Sequence, residues 1–401
     1  MDLRLLVAGL IIVLACGGTD RSAERPPETG SVRDSAGVRL VTHNDMFNAS
    51  VDWWTIDTIP DLRIGDIDTQ ALHRVAGALL VGETLLVADG SSRELRMFDF
   101  RGKQVRVFGG RGEGPGEFAS IGLIDLIHGD SIAVYDPMLR RATVYSVEGV
   151  VGDTRIVEPA PEAEGELTVA AFLGDGVPVL QTETSAHDAI GTTRFDNWVY
   201  TRIGESHHQI GVFPGREYYF NPPRSSGAMV SVEYGPAPMG AQLHVDAGED
   251  AVYIMDSDDS TLRVYARDGR AVMNVDNAAL RIPVTPQILD AYLNEQVQGR
   301  DADVAQRLRQ AIHDRLERET LPTMGGLFVS PTDEIWIQSY QVVEADPHVY
   351  VVVAPDGAVQ KHVHVPAGYE LLWAQSDRLV LLSRNDLDVE AVSVFRLVPR
   401  R

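Results

Sequence analysis

Three stretches of the chain align without a gap: VADGSSRELRMFDFRGKQ from Val87, VYDPMLRRATVYSVEGVV from Val134 and IMDSDDSTLRVYARDGRA from Ile254. Each copy runs from a β-rich segment closing on an aspartate (Asp89, Asp136, Asp256), through a polar turn, to an apolar segment closing on Phe98, Tyr145 or Tyr265. A turn at Gly102, Gly149 or Gly269 follows. Units this small cannot bury an apolar face alone, so repetition means that neighbours share a core. Within the copies Leu85, Val87, Leu95, Met97 and their equivalents keep the period of two expected of strands half buried between adjacent sheets.

Weaker copies, with strand cores at Val177 to Gln181, Ile335 to Ser339 and Leu379 to Ser383, bring the number of units to six. Six four-stranded sheets packed radially predict an all-β fold, a six-bladed β-propeller. A length of 401 residues would by itself admit two or three domains, but a ring of repeats is one. The last unit offers strands near Tyr369 to Ala374, Leu379 to Ser383 and Ala391 to Leu397, one short of a full blade. The segment Asp52 to Ile59, ahead of the first full unit, is the expected fourth strand, closing the last blade and removing an open edge.

One region departs from the β pattern. Thr285-Pro286 provides an N-cap and a first-turn proline, and Ile288, Leu289, Tyr292 and Leu293 then recur at helical spacing. A second helix is expected from about Ala302 to Glu319, with Ala305, Leu308, Ile312 and Leu316 on one stripe. This insert, residues 284–321, falls between blades four and five.

The apolar run Leu5 to Ala15 is too short for a membrane span of about 20 residues and suits a secretory h-region. Its end, Val13-Leu14-Ala15-Cys16, resembles a bacterial lipobox, which implies lipidation of Cys16. Residues 1–16 are therefore expected to be a lipoprotein-type signal peptide with its lipidated Cys. Residues 17–36, rich in Pro, Gly and charge and poor in large apolar side chains, are expected to be a disordered tether. The propeller is assigned to residues 37–401. The expected location is the bacterial cell envelope, lipid-anchored and facing periplasm or exterior.

Composition narrows the partners. Cys16 is the only cysteine, which excludes an intramolecular disulfide and any multi-Cys metal site. Net charge is -23, and Lys103 and Lys361 are the only lysines, so a nucleic acid partner is excluded. Acidic character also opposes binding to anionic headgroups, leaving the lipid as the membrane partner.

Residues 87–118, VADGSSRELRMFDFRGKQVRVFGGRGEGPGEF, resemble an NHL-type repeat: a VxD strand end, a turn, an aromatic strand end, then a glycine-rich segment closing on Glu-Phe. The chain as a whole is thus similar to the NHL-repeat and TolB-like lipoprotein propellers of bacteria. That resemblance supports the six-bladed architecture and leaves activity open, because some six-bladed propellers bind and others catalyse.

Candidate chemistry is sought on the face that collects the blade-to-blade crossovers and middle hairpin turns, around the channel mouth. The run Gly109 to Gly116 has dinucleotide-like glycine spacing, but strands flank it and Pro115 breaks any helix, so it reads as a tight crossover carrying Arg111 to that face. Arg216, Tyr218, Tyr219 and Arg224, in GREYYFNPPR, form the densest aromatic and cationic cluster of any crossover, suited to a carboxylate or phosphate beside a flat apolar ring. Arg111, Arg216, Tyr218, Tyr219 and Arg224 are the candidate ligand-binding residues.

His73, Asp125, His244 and Glu370 fall on expected innermost strands and are the candidate metal ligands. A divalent cation there is the one cofactor the residues admit, and none is otherwise expected. Asp256-Ser257-Asp258-Asp259-Ser260 lacks the Gly and distal Glu of a calcium loop and reads as a turn. His362 and His364 read as a surface pair on an outermost strand. No GxSxG serine occurs and Cys16 is excluded as a nucleophile by position, so acyl-enzyme chemistry has no candidate. Two readings follow: a membrane-tethered module binding a small molecule, peptide or envelope protein through its loop-rich face, and, as the alternative, a metal-dependent hydrolase or lyase resembling gluconolactonase-like or peptidyl-hydroxyglycine-lyase-like propellers.

Overall fold

The computed structural model describes residues 29–65, 71–184, 189–222, 224–226, 229–231, 234–279, 281–343, 346–375 and 377–400. The signal segment and Cys16 lie outside the described residues. Strands follow one another as antiparallel meanders. Blade one is Val75–Val81, Thr84–Asp89, Glu94–Asp99 and Gln104–Gly109, and blade two is Leu123–Ile127, Ser131–Asp136, Arg141–Ser146 and Val151–Ile156. Blade three is Glu166–Phe172, Pro178–Glu183, Gly191–Ile203 and Ser206–Phe220, with Tyr234–Pro236 added at its edge. Blade four is Leu243–Ala247, Ala251–Asp256, Thr261–Ala266 and Ala271–Asn277, and blade five is Met324–Val329, Ile335–Ser339, His348–Val353 and Val359–Val365. Blade six contributes Tyr369–Gln375, Arg378–Arg384 and Glu390–Pro399. The result is the six-bladed β-propeller expected from the repeats.

The core lies between blades. Leu85, Leu95, Phe98 and Leu86 of blade one share one buried cluster with Val134 and Tyr145 of blade two and Val380 and Val392 of blade six. Trp336, fully buried, packs in another with Leu379 and Phe395 across the blade five to six boundary. Each repeat aspartate ends its second strand buried, at 3%, 1% and 6% exposure for Asp89, Asp136 and Asp256. Asp89 accepts the N–H groups of Ser91 and Ser92, Asp136 those of Met138 and Leu139, and Asp256 that of Asp258. The turn closes through a left-handed residue in each copy: Arg93, Arg140 and Ser260. The aspartates are therefore turn-formers, as read for Asp256.

The N-terminal segment closes the ring as a belt over three blades. Val38–His43 lies parallel on the outer strand of blade four, and Asp52–Ile56 lies parallel on that of blade five. Asp52–Ile56 also pairs antiparallel with the end of the last strand, Ile56 opposite Leu397 and Trp54 opposite Pro399. Leu62–Ile64 pairs with Val392–Val394 and completes blade six. The expected closing strand, Asp52 to Ile59, thus ends at Ile56 and lies along blade five, and the fourth strand of blade six is Leu62–Ile64, just beyond the expected segment and separated from it by a kink. Pro60, with no N–H for a ladder, lies in that kink, and Ile59 is exposed.

Two readings are corrected by the belt. Residues 29–35, assigned to the tether, form the strand Thr29–Ser35, paired with Val38–His43. The cause is local: Ala36 and Gly37 both take positive φ, 52° and 84°, the conformation of a two-residue hairpin turn. His362 is fully buried, because the belt covers its strand; its Nε2 lies 2.8 Å from the Met46 carbonyl oxygen and its ring 4.6 Å from that of Trp53.

The helical insert follows blade four as Pro286–Val297 (α1) and Ala302–Arg315 (α2). The Thr285 hydroxyl caps α1 by accepting from Ile288 N–H, and Leu293 and Ile312 are the buried side chains of the pair. The second helix ends at Arg315, short of the expected Glu319, with Leu316 already extended, and Arg318 beyond it pairs with Glu217 and Asp258.

Candidate functional site

On the crossover face the last two strands of blade three are far longer than their counterparts and rise above the ring, where Gly191 to Arg194 pair with Phe220 to Glu217. An aromatic cluster stiffens this wall: Phe195, Tyr218, Phe220 and Tyr234, with Phe220 and Tyr234 stacked at 5.0 Å. The insert stands beside it, with the Arg315 guanidinium 5.7 Å from the centre of the Tyr219 ring.

Between wall, insert and the segment after blade five's second strand lies a cavity of ≈ 310 Å³. Arg216 and Glu217 line it from blade three, Gln242 from the approach to blade four, Tyr292 and Gln296 from α1, and Tyr340 from blade five. The lining is mostly polar, and its carboxylates are engaged. Glu217 accepts from Ala241 N–H at 2.8 Å and from Arg318, which also holds Asp258. Arg194 holds Asp256 at 3.0 Å and the carbonyls of Gly215 and Pro214 at 2.7 and 2.9 Å. Glu183 accepts the Tyr218 hydroxyl and faces the Arg216 N–H. Arg216 differs from its neighbours: among the described residues its guanidinium has no hydrogen-bond or ion-pair partner. Burial pushes the Tyr340 hydroxyl up to about 12, so it remains a neutral donor.

His244 follows Gln242 on the inner strand of blade four. Its Nε2 is buried without a partner. Burial lowers its proton affinity to about 4, Asp256 opposes that, and the Arg216 charge adds to it. The imidazole is therefore neutral at physiological pH and senses the charge at Arg216.

Of the candidate ligand-binding residues, Arg216 is the one that lines this cavity among the described residues. Tyr218 and Tyr219 build the wall beside it. Arg224 begins the short strand Arg224–Ser226, paired with Met229–Ser231. Arg111 is exposed on the crossover between blades one and two, bridged to Phe118. That crossover is held by the Arg141 guanidinium, which donates to the carbonyls of Glu113, Gly114 and Glu117, and by the Tyr145 hydroxyl on Gly116.

The four candidate metal ligands are not gathered. His73 is exposed in a loop, Glu370 pairs with Arg384 at 3.4 Å on blade six, His244 sits near the mouth and Asp125 lies deep in the channel. Among the described residues no group of three or more His, Cys, Asp or Glu is placed to hold a metal ion. The reason is geometric: strand register and turn length set the height of each inner side chain separately in each blade.

Asp125 has a partner that sequence reading missed. Asp246, on the inner strand of blade four, accepts the Val329 N–H of blade five at 2.7 Å, as Asp125 accepts the Phe172 N–H of blade three at 3.4 Å. Burial raises Asp125 to about 7; burial and then the Asp125 charge raise Asp246 to about 8. The equivalence escapes a gapless alignment because Asp125 lies one residue farther from Asp136 than Asp246 does from Asp256. Tyr292, Gln242 and Tyr340 were likewise missed, since neutral side chains brought together from three segments leave no local pattern.

Residues 66–156 match a family model, DUF5128, described as a 6-bladed β-propeller. A comparison with curated proteins finds no match. Among solved structures the chain is similar to a member of the DUF4221 family from Bacteroides vulgatus, at 10% identity over 86% of this chain and 99% of that one, TM-score 0.44. It is also similar to regucalcin, a calcium-binding protein from Agrobacterium tumefaciens, at 12% identity over 87% and 97%, TM-score 0.37. Virginiamycin B lyase from Staphylococcus aureus compares at 8% identity over 84% and 99%, TM-score 0.37. The architecture rests on the strand pairing described above, not on these likenesses.

Proposed function

We propose that this propeller is a binding module whose ligand sits in the cavity at the channel mouth, and that a lipid on Cys16 tethers it to a membrane of the bacterial envelope. The observation that carries the binding reading is the cavity itself: a concave, polar site of ≈ 310 Å³ assembled from blade three, α1 and blade five on a rigid ring. The tether reading rests on the lipobox-like Val13 to Cys16 and on an h-region too short to span. Among the described residues no helix is long and apolar enough to cross a membrane. The described residues begin at Thr29, in the strand at the outer edge of the blade four sheet. The partner is a small molecule, a peptide or an envelope protein.

Hydrogen exchange tests the site. Incubation with the low-molecular-weight fraction of an envelope extract is expected to protect amides of residues 216–217, 236–242, 292–296 and 340–342; protection elsewhere, or none, refutes it. Detergent partitioning of the full chain, lost in Cys16→Ser, tests the tether. Metal analysis addresses the hydrolase or lyase alternative. A stoichiometric divalent cation that disappears in Asp125→Asn or His244→Ala would move the assignment to that reading.

A further inference from the structure

We propose that the mouth cavity takes a small hydroxylated monocarboxylate, its carboxylate paired with Arg216 and its hydroxyl groups with the neutral Tyr and Gln side chains around it. This rests on the reading of the cavity as the binding site and adds the ligand class.

Ion pairing makes the first argument. Glu217 and Asp258 share Arg318, Asp258 has Arg281 as well at 3.5 Å, and Asp256 has Arg194. Glu183 accepts the neutral Tyr218 hydroxyl, and Glu295 of α1 is the second acidic side chain on the lining beside Glu217. The Arg216 guanidinium, on the wall of the cavity, makes no hydrogen bond or ion pair among the described residues. A guanidinium presents a planar fork of donors that matches a carboxylate edge. In a chain of net charge -23 whose surface repels anions at long range, an exposed cation at the edge of a cavity has a local use rather than a steering one.

The rest of the lining narrows the anion. Among the described residues no lysine lines the cavity, and Arg216 is the one basic side chain on it. A phosphate dianion would bring two negative charges beside Glu295 against that single cation, whereas a monocarboxylate brings one. Gln242, Gln296, Gln341 and Tyr340 offer both donors and acceptors, which suits hydroxyl groups and not an alkyl chain. The volume is at the small end of ligand sites, the size of one sugar ring or a short hydroxy acid.

The experiment uses a matched pair, galacturonate and galactose, with inorganic phosphate as the third probe. Calorimetry on the full chain in detergent should show galacturonate binding at least about tenfold more tightly than galactose, corresponding to about 1.4 kcal/mol. Arg216→Ala should abolish that preference and Arg216→Lys should retain part of it. His244 is an independent reporter: neutralising Arg216 removes a repulsive charge, so its NMR titration midpoint should rise with galacturonate and stay put with galactose. Equal affinities, or a preference unchanged in Arg216→Ala, overturn the ligand class while leaving the cavity as the site. Phosphate binding as tightly as galacturonate overturns the carboxylate assignment. Neither sugar binding, with His244 unmoved, also overturns the ligand class, and the exchange experiment above then decides on the site alone.

Discussion

Asp125 and Asp246 hold the same station in blades two and four: Asp125 is registered opposite Ala133 and Asp246 opposite Tyr253, each three residues before its blade's turn aspartate. Each carboxylate reaches to the following blade and accepts an N–H from the innermost strand there, Phe172 for one and Val329 for the other. They thereby satisfy donors that the free inner edge of a blade would otherwise leave unpaired in the channel.

This pairing makes stability depend on pH in an unusual direction for carboxylates. Burial raises Asp125 from 3.8 to about 7, and burial together with Asp125 raises Asp246 to about 8. The folded state therefore holds protons that the unfolded state has released. The contribution is complete below about pH 4 and is lost as pH rises through 7 to 8. Urea denaturation should show stability falling between about pH 5 and pH 9 by an amount on the order of a few kcal/mol. Asp246→Asn, which cannot ionise, should flatten that slope; an unchanged slope would falsify the assignment.

Closure of the ring is sensitive to Gly65, which follows the closing strand Leu62–Ile64. Its φ is +113°, and an added Cβ would stand 2.3 Å from the Glu390 carbonyl oxygen and 2.8 Å from the Ala391 Cα. Both obstacles are backbone of the last blade. Gly65→Ala is expected to cost at least about 2 kcal/mol by pushing the closing strand off its partner. Gly82→Ala serves as the control, since that glycine also has positive φ, +56°, but nothing within 4 Å.

Deleting residues 29–64 removes the fourth strand of blade six and uncovers blades four and five together. The ring then has no antiparallel closure, and thermal unfolding should lose its single cooperative transition. A truncated chain that melts as sharply as the full one would show that the belt is dispensable.

Arg141 ties the glycine-rich crossover to blade two through three carbonyl groups. Arg141→Lys keeps the charge but not the fork, and should destabilise by about 1 to 3 kcal/mol. Exchange should accelerate first in residues 110–118, ahead of global unfolding.

Arg318 is 10% exposed between Glu217 and Asp258. Arg318→Met would leave Glu217 without its cation and Asp258 with Arg281 alone, at an expected cost of about 2 to 4 kcal/mol. Urea denaturation of the variant beside the parent chain reads the loss directly.

The ring, its sixfold count and the position of the insert were legible in the chain, because each rests on local pattern. An aspartate bonding its own turn, a period of two and a Thr-Pro helix start act within a few residues of one another. Arg216 was legible too, as a cation in an aromatic crossover. The hairpin at Ala36-Gly37 was missed because the strand ahead of it, GSVRDS, is exposed and carries a single apolar side chain, so it shows no apolar alternation.

Sequence alone thus determined that the chain repeats a small antiparallel sheet and joins the copies into a propeller, since propensity, turn chemistry and patterning are properties of neighbours along the chain. Only tertiary structure decided which side chains share a space. It buried His362 under a belt drawn from far upstream, left Arg216 without a partner among the described residues while Arg194 and Arg318 found theirs, and brought Asp125 within reach of Asp246. Those outcomes depend on turn lengths and on through-space charge, which are settled once the ring closes.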